Sequence, residues 1–460
     1  MAWRRTLLIL LLALAVGLTV SDQVDDLIAT TSYGSLRGYD VMSEGERVRV
    51  FKSVPFAAPP LGQLRWSLPQ WPNAWSGVRD ATVNAPDCMQ NASSSSTKSK
   101  EVTHKHKHTR QKPVIAKGVI LVVPAYRVGF AHSVDFGDEQ ELVPSNLGVY
   151  DALHALRWVR DEISSFGGDP SSVSLFGHSY GSAIAMVLAW TPLRDVPLAR
   201  MVTMSPEMYF AQPSMISNRT AVLVQELGCS RSNLSETLQC MRAVDAHDLL
   251  QAQTAFSEKA QTLSRITMRA PLIPWNTTAE LLRHAPKIDI LLGCTAREDD
   301  YEEAGYENGI LLGLSNYHPL FDFYRELSAD GLISEPHASG TISFFVGAWL
   351  YGHALKERGN NVAWHQLDAS DAYYSIAVDV ETGRRPEMRS HFQHETIQFW
   401  TGIAPVLDRM MGNSSSIHLS FTSSDPAGDS PVAFTISGLL LLAVGALAVF
   451  ALAVMGAIGG

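Results

Sequence analysis

Ser179 stands in Gly177-His178-Ser179-Tyr180-Gly181, between the apolar run Val173–Phe176 and a stretch of small and apolar residues that begins at Ser182. A serine flanked by glycines two positions away on each side, at the passage from a strand into a helix, is the arrangement that holds a hydroxyl above a sheet edge as a nucleophile. Side chains at 177 and 181 are expected to clash in so tight a turn, and the oriented amides of the helix start, Tyr180 first, favour a developing oxyanion. The plainer reading is a turn with no chemistry. A nucleophile of this kind needs a base and an orienting acid, in the chain order serine, acid, histidine. Glu298 lies on the loop after the mostly apolar run Ile288–Leu292 in IDILLGCTAREDDYEEAG, where acids of α/β sheets sit. The plainer reading makes Glu298, Asp299, Asp300, Glu302 and Glu303 one solvated acidic loop. His394, in HFQHETIQFW, comes late enough to be the base, with His391, His365 and His418 as rivals.

The elements that must position these residues are legible in the apolar periodicity. Val149, Leu153, Leu156, Val159 and Ile163 recur at steps of three and four, which predicts a helix over Asn146–Phe166, ended by Gly167-Gly168-Asp169-Pro170. Strands are expected at Val173–Phe176 and Leu198–Met204, with a helix between them from about Ser182 to Ala189. Pro113–Val123 is nearly all apolar and reads as a strand buried on both faces. Strand alternating with helix implies an α/β fold with a mostly parallel, doubly wound sheet. Val24–Gln90 reads as strand and turn punctuated by Gly34, Gly38, Pro55, Pro59, Pro60 and Pro69. Residues 91–112 hold no aromatic and cannot join a core, so they form a solvated polar loop. His104, His106 and His108 alternate there; an exposed loop is preferred over a metal site, and no metal or other cofactor is expected.

At 460 residues and 46% hydrophobic, the chain can bury the core of one large domain. A formal charge of -10 without a long basic face argues against nucleic acid as a partner. The N-terminus has Arg4 and Arg5, then an uncharged run from Thr6 to Val20, the layout of a secretory signal over residues 1–21; a signal anchor is the rival reading. Sequons at Asn91, Asn218, Asn233, Asn276 and Asn413 fit that route. After a domain over 22–412, residues 413–430 read as a polar stalk and 431–460 as a hydrophobic GPI signal, or else a transmembrane segment. Either places the globular part at the cell surface, facing outward and held to the membrane by its C-terminal end. Partners left open are a second copy of the chain and another extracellular protein. Of four cysteines, Cys229 and Cys240 are expected to pair; Cys88 and Cys294 could pair together, pair with other chains or stay reduced.

The motifs resemble those of the type B carboxylesterases, a family that includes the cholinesterases and the non-catalytic neuroligins. TSYGSLRGYDV, FKSVPFAAPPLGQLRW and PDCMQ are similar to the family's N-terminal signature. NLGVYDALHALRWVRDEISSFGGDPSSVSLFGHSYGSA is similar to its most diagnostic block. The resemblance runs from Thr31 to about Pro405 and implies an α/β-hydrolase fold and acyl transfer on small carboxylic esters. Ser179 would be the nucleophile, Glu298 the acid and His394 the base, with Tyr180 supplying a backbone oxyanion donor. Three departures stand out. The EDCLYLN segment and the HGGG loop that carries most oxyanion donors have no counterpart between Gln90 and KPVIAKGVILVV. His178 and Tyr180 replace the family's Glu and Ala, so that Tyr180 is expected to crowd or repack the acyl pocket. The histidine block is one residue short and lacks its glycine. The alternative function is a catalytically weak or inactive cholinesterase-like binding or adhesion protein.

Overall fold

In a computed structural model of the chain, the described residues are 26–85 apart from 44, 118–258 apart from 207–209 and 212, 265–295, 314, 320–322, 324, 341–367, 401, 404–411, 418–422 and 433–437. The N-terminal part builds small sheets. β1 (Ile28–Thr31) pairs antiparallel with β2 (Gly34–Arg37), which pairs parallel with β5 (Val78–Asp80), while β3 (Tyr39–Ser43) and β4 (Glu46–Val50) form a hairpin. The turn after β1 is tied to the body of the protein by Glu162, whose carboxylate accepts from the backbone N–H of Ser32 at 2.9 Å and from its hydroxyl.

Among the described residues the central sheet has four strands, all parallel, in the order of the chain: β6 (Ser174–His178), β7 (Arg200–Met204), β8 (Asp289–Thr295) and β9 (Val362–Leu367). Three of them coincide with the expected apolar runs. In register, Leu175, Met201, Ile290 and Val362 form one row across the sheet, and Phe176, Val202, Leu291 and Ala363 the next. Side chains alternate between faces along a strand, so these rows lie on opposite sides. The first face packs into the main core, with Met201 at 1% and Ile290 at 4% exposure, whereas Phe176 on the other is 59% exposed.

Two helices decide the position of the site. α1 (Leu147–Glu162) follows Asn146, whose φ of 62° and ψ of 35° are left-handed. Asparagine visits that conformation more readily than most residues with a side chain, and here long-range bonds hold it: the Asn146 amide donates to Thr267 O and accepts from Thr267 N–H, both at 2.8 Å. The expected apolar stripe understates its burial: Leu147, Gly148 and Val149, then every residue from Asp151 to Leu156, are covered, because α1 is sandwiched rather than laid on a surface. Gly167, at φ 87°, ends the following 3₁₀ turn in the left-handed conformation that glycine adopts at no steric cost. α2 (Tyr180–Trp190) connects β6 to β7 and is buried from Ser182 to Trp190, so it carries no polar face.

Of the expected strand Pro113–Val123, residues 113–117 lie outside the described residues and 118–123 form no strand. Residues 119–128 pair with no strand among the described residues, and Val119, Ile120, Leu121, Val122 and Val123 are 38–48% exposed. An apolar run becomes a buried strand only where neighbouring strands and helices cover it, and among the described residues β6 is the terminal strand of its sheet. Beyond β7 come α3 (Pro213–Glu226), α4 (Leu234–Ala243), α5 (Ala246–Glu258) and α6 (Thr278–Arg283), then β8, α7 (Gly347–Glu357) and β9. The Cys229–Cys240 disulfide is present, between α3 and α4. Cys229 joins a second core cluster with Trp66, Phe130, Leu147, Leu223, Leu238 and Met241. Cys294 is buried on β8 and Cys88 lies outside the described residues. α8 (Ala404–Met411), and a hairpin of β10 (His418–Thr422) with β11 (Ala433–Ser437), complete the described elements. Among the described residues, no helix is long and apolar enough to cross a membrane.

Candidate active site

Ser179 sits at the C-terminal end of β6, immediately before α2, half-buried and with φ 52° and ψ −125°. Such a backbone is costly for any residue with a side chain, by about 1–3 kcal/mol, and persists only when its surroundings over-determine it. Here they do. The Ser179 N–H donates to Met204 O at 2.9 Å, and the Ser179 carbonyl accepts from the N–H groups of Ser182 and Ala183 at 2.8 and 3.2 Å. The buried Ser182 hydroxyl adds a second tie to β7, donating to Met204 O at 2.9 Å and accepting from Met204 N–H at 3.1 Å. Helix geometry offers the first amides of α2 no carbonyl four residues back, so the end of the helix presents N–H groups and a partial positive charge beside the serine.

The two glycines of the turn are not equivalent. A Cβ built on Gly177 would lie 2.6 Å from both the carbonyl carbon of Gly181 and the Cα of Ser182, and closer still to Gly181 O. Those atoms are backbone and cannot swing aside. A Cβ on Gly181 meets nothing within 4 Å. Steric need is therefore confined to Gly177, a correction to the expectation that both positions require glycine.

Tyr180 turns its hydroxyl into the protein. Tyr180 Oη and His132 Nε2 are 2.7 Å apart, and the rings meet edge to face at a centroid distance of 5.9 Å. His132 is fully buried, and its Nδ1 accepts the Gly148 N–H of α1 at 2.8 Å. Burial, reinforced by the nearby Arg127 guanidinium and opposed by the Arg265 carbonyl, pushes its pKa down to about 3. The imidazole is therefore neutral. Neither His132 nor Ser182 was singled out by motif or spacing; the one signal was the unusual residue at 180, whose partner lies 48 positions earlier.

Glu298 and His394 lie outside the described residues, as do Asp299, Asp300, Glu302, Glu303 and His391. Their approaches are visible. β8 ends at Thr295, three residues before Glu298, and β9 ends at Leu367 ahead of the segment carrying His394. Because β6, β8 and β9 run parallel, all three lead to the same edge of the sheet, the edge where α/β sites form. His365 lies within β9 opposite Gly293, and His418 opens β10. Asn218, Asn233 and Asn276 are exposed, while Asn91 and Asn413 are outside the described residues, as are His104, His106 and His108. Among the described residues, no group of three His, Cys, Asp or Glu could hold a metal ion.

The model of the carboxylesterase family matches residues 25–108 and 99–310, more than half of the sequence. The chain belongs to the carboxylesterase family. It is similar to the cholinesterase of Mus musculus, 30% identical over 290 residues, covering 53% of this chain and 47% of that protein. It is also similar to the medium-chain fatty acyl-CoA hydrolase precursor of Anas platyrhynchos, 28% identical over 292 residues and 52% of each chain. This family member thus spans about half the length of the curated relatives it matches. Among solved structures it resembles a carboxylesterase of Geobacillus stearothermophilus, with a TM-score of 0.59 and 25% identity, over 75% of this chain and 80% of that one. That neighbour and the parallel sheet establish the α/β-hydrolase fold.

Proposed function

We propose that the chain is an extracellular, membrane-tethered carboxylic ester hydrolase that works through an acyl-enzyme on Ser179. The observation that carries this reading is the strained, doubly anchored turn at Ser179, in a chain of the carboxylesterase family. His394 takes the Ser179 proton as the hydroxyl oxygen attacks the ester carbonyl, and Glu298 orients and stabilises the imidazolium. The Tyr180 N–H meets the oxyanion of the tetrahedral intermediate. Collapse of that intermediate breaks the bond to the alcohol, which leaves with the proton from His394. Water, deprotonated by the same imidazole, then releases the acid and restores Ser179. Removal of one oxyanion donor costs about 10²–10³ in rate in related chemistry. With the HGGG motif absent from the sequence, turnover should be slow relative to a full donor set.

A second reading, binding or adhesion with little catalysis, is favoured by the exposed apolar run Val119–Val123 and by Phe176, since such surface marks interaction sites. Fluorophosphonate treatment of the full chain from a secretory host, followed by peptide mass spectrometry, separates the two. A covalent adduct on Ser179 that is missing from Ser179→Ala supports the hydrolase. A folded, glycosylated protein that takes no adduct turns the search to a binding partner.

A further inference from the structure

Tyr180 and His132 are joined in a way that the chemistry at Ser179 does not by itself require. The tautomer follows from the hydrogen bonds. Nδ1 of His132 receives the Gly148 N–H at 2.8 Å and so bears no proton. A neutral imidazole then carries its proton on Nε2, which lies 2.7 Å from Tyr180 Oη, with the Arg265 carbonyl as a further acceptor beside the ring. The main chain that carries the ring is itself held. The His132 carbonyl accepts Leu147 N–H at 3.2 Å and its N–H donates to Gly129 O at 3.0 Å. The adjoining turn is braced by Trp66 Nε1, donating to Phe130 O at 2.8 Å, and by Gln253, accepting Phe130 N–H at 3.0 Å. α1 comes so near that a Cβ on Gly148 would sit 2.7 Å from His132 Nδ1.

The mechanical consequence concerns the peptide between Ser179 and Tyr180, the one that carries the proposed oxyanion donor. Its plane can rotate about ψ of Ser179 and φ of Tyr180. A residue held at φ 52° and ψ −125° relaxes by such rotation unless both flanks are fixed. Met204 fixes the Ser179 side through its carbonyl. On the other side the carbonyl of the same peptide accepts the Ser182 and Ala183 N–H groups at 2.8 and 3.2 Å, and His132 holds the Tyr180 side chain by its hydroxyl, which steadies the residue about whose φ the peptide would turn.

We propose that His132 is a positioning residue for the oxyanion donor: as a neutral imidazole with its proton on Nε2, it anchors the Tyr180 hydroxyl and so sets the direction of the Tyr180 backbone N–H beside Ser179. The inference rests on the hydrolase reading and goes beyond it by giving the unusual Tyr180 a partner and a task. Burial keeps the imidazole neutral at working pH, so the anchor holds wherever the proposed base is active.

The test compares Tyr180→Phe, His132→Leu and His132→Gln with wild type, using a p-nitrophenyl ester and its thionoester, in which sulfur replaces the carbonyl oxygen. A displaced donor should lower kcat about tenfold or more with KM within twofold, because it acts only on the transition state. The oxygen-over-sulfur preference should shrink in parallel, since sulfur accepts hydrogen bonds weakly. A purely structural defect would lower the active fraction and leave that preference intact. His132→Gln, whose amide can both accept and donate, should restore most of kcat; Tyr180→Phe keeps the ring and guards against a leucine variant that fails to fold. Wild-type kcat and oxygen preference in Tyr180→Phe would overturn the inference while leaving the hydrolase reading intact. Loss of kcat with an unchanged oxygen preference would overturn it equally. A wild type that takes no fluorophosphonate on Ser179 would overturn the hydrolase reading and this inference with it.

Discussion

Gly177→Ala and Gly181→Ala should act in opposite directions although the two glycines are symmetric about Ser179 in sequence. At 177 the new methyl would lie 2.6 Å from two backbone carbons of the first turn of α2. Restoring a carbon separation of about 3.5 Å requires that turn to retreat by roughly 1 Å. α2 is buried from Ser182 onward and tied to Met204, so the retreat costs about 1–3 kcal/mol, the range for overpacking a core. A displacement of that size also moves Ser179 off its attack geometry, which corresponds to about a 10²-fold loss in labelling rate. At 181 the methyl meets nothing within 4 Å. Alanine in place of glycine inside a helix then gains about 0.5–1 kcal/mol. Urea unfolding followed by tryptophan fluorescence should therefore separate the two variants by about 1.5–4 kcal/mol, with wild type between them. Equal destabilisation by both would refute the argument, because it would mean that the space beside Gly181 is filled.

Other consequences follow from burial, charge and loop length. Replacing both Cys229 and Cys240 by alanine should cost about 3 kcal/mol, from the entropy of a loop closed over a sequence separation of 11, read as a lowered urea midpoint. Asp151→Ala should cost about 3–5 kcal/mol, because it strands the Arg127 guanidinium at 8% exposure; the same unfolding curves check it. His132 titrates in the folded state well below its ordinary 6.5, so from pH 6.5 down to about 3 the unfolded chain binds the proton first. Stability should fall with pH across that window, by at most about 1.4 kcal/mol per pH unit from this group, and His132→Gln should flatten the slope. Asn233 both carries a sequon and caps α4, its Oδ1 accepting Glu236 N–H at 2.9 Å. Asn233→Gln should lose the glycan mass and about 1 kcal/mol, while Asn233→Asp should lose only the mass. Peptide mass spectrometry with unfolding curves distinguishes the two.

What the sequence revealed and what it hid divide along the range of the interactions. The strands around Phe176, Val202 and Leu291 were legible because each is a local apolar run, and the turn at Ser179 because a tight strand-to-helix passage needs glycine within two residues. Val119–Val123 misled for the same reason: composition reports that a segment can be buried, whereas burial depends on what lies beside it. Periodicity found one face of α1, while its full burial is set by neighbours distant in the chain. His132 could not be read at all. A single histidine in AYRVGFAHS has many uses, and only the fold brings it to Tyr180. Tyr180 is expected from sequence to crowd or repack the acyl pocket, and nothing in sequence points to the buried imidazole that its hydroxyl meets.

The anchor of Ser179 is the main-chain oxygen of Met204, an atom that every amino acid possesses. Substitution at position 204 cannot delete it, whatever side chain arrives. The proposed Glu298 and His394, by contrast, are side chains that a single codon change removes. A lineage that abandons turnover would shed those groups early and retain the serine's contorted backbone longest, as a vestige held in place by its scaffold. The turn at Ser179 is thus a durable mark of descent, and chemical labelling of its hydroxyl is what distinguishes an heir that still works from one that only keeps the shape.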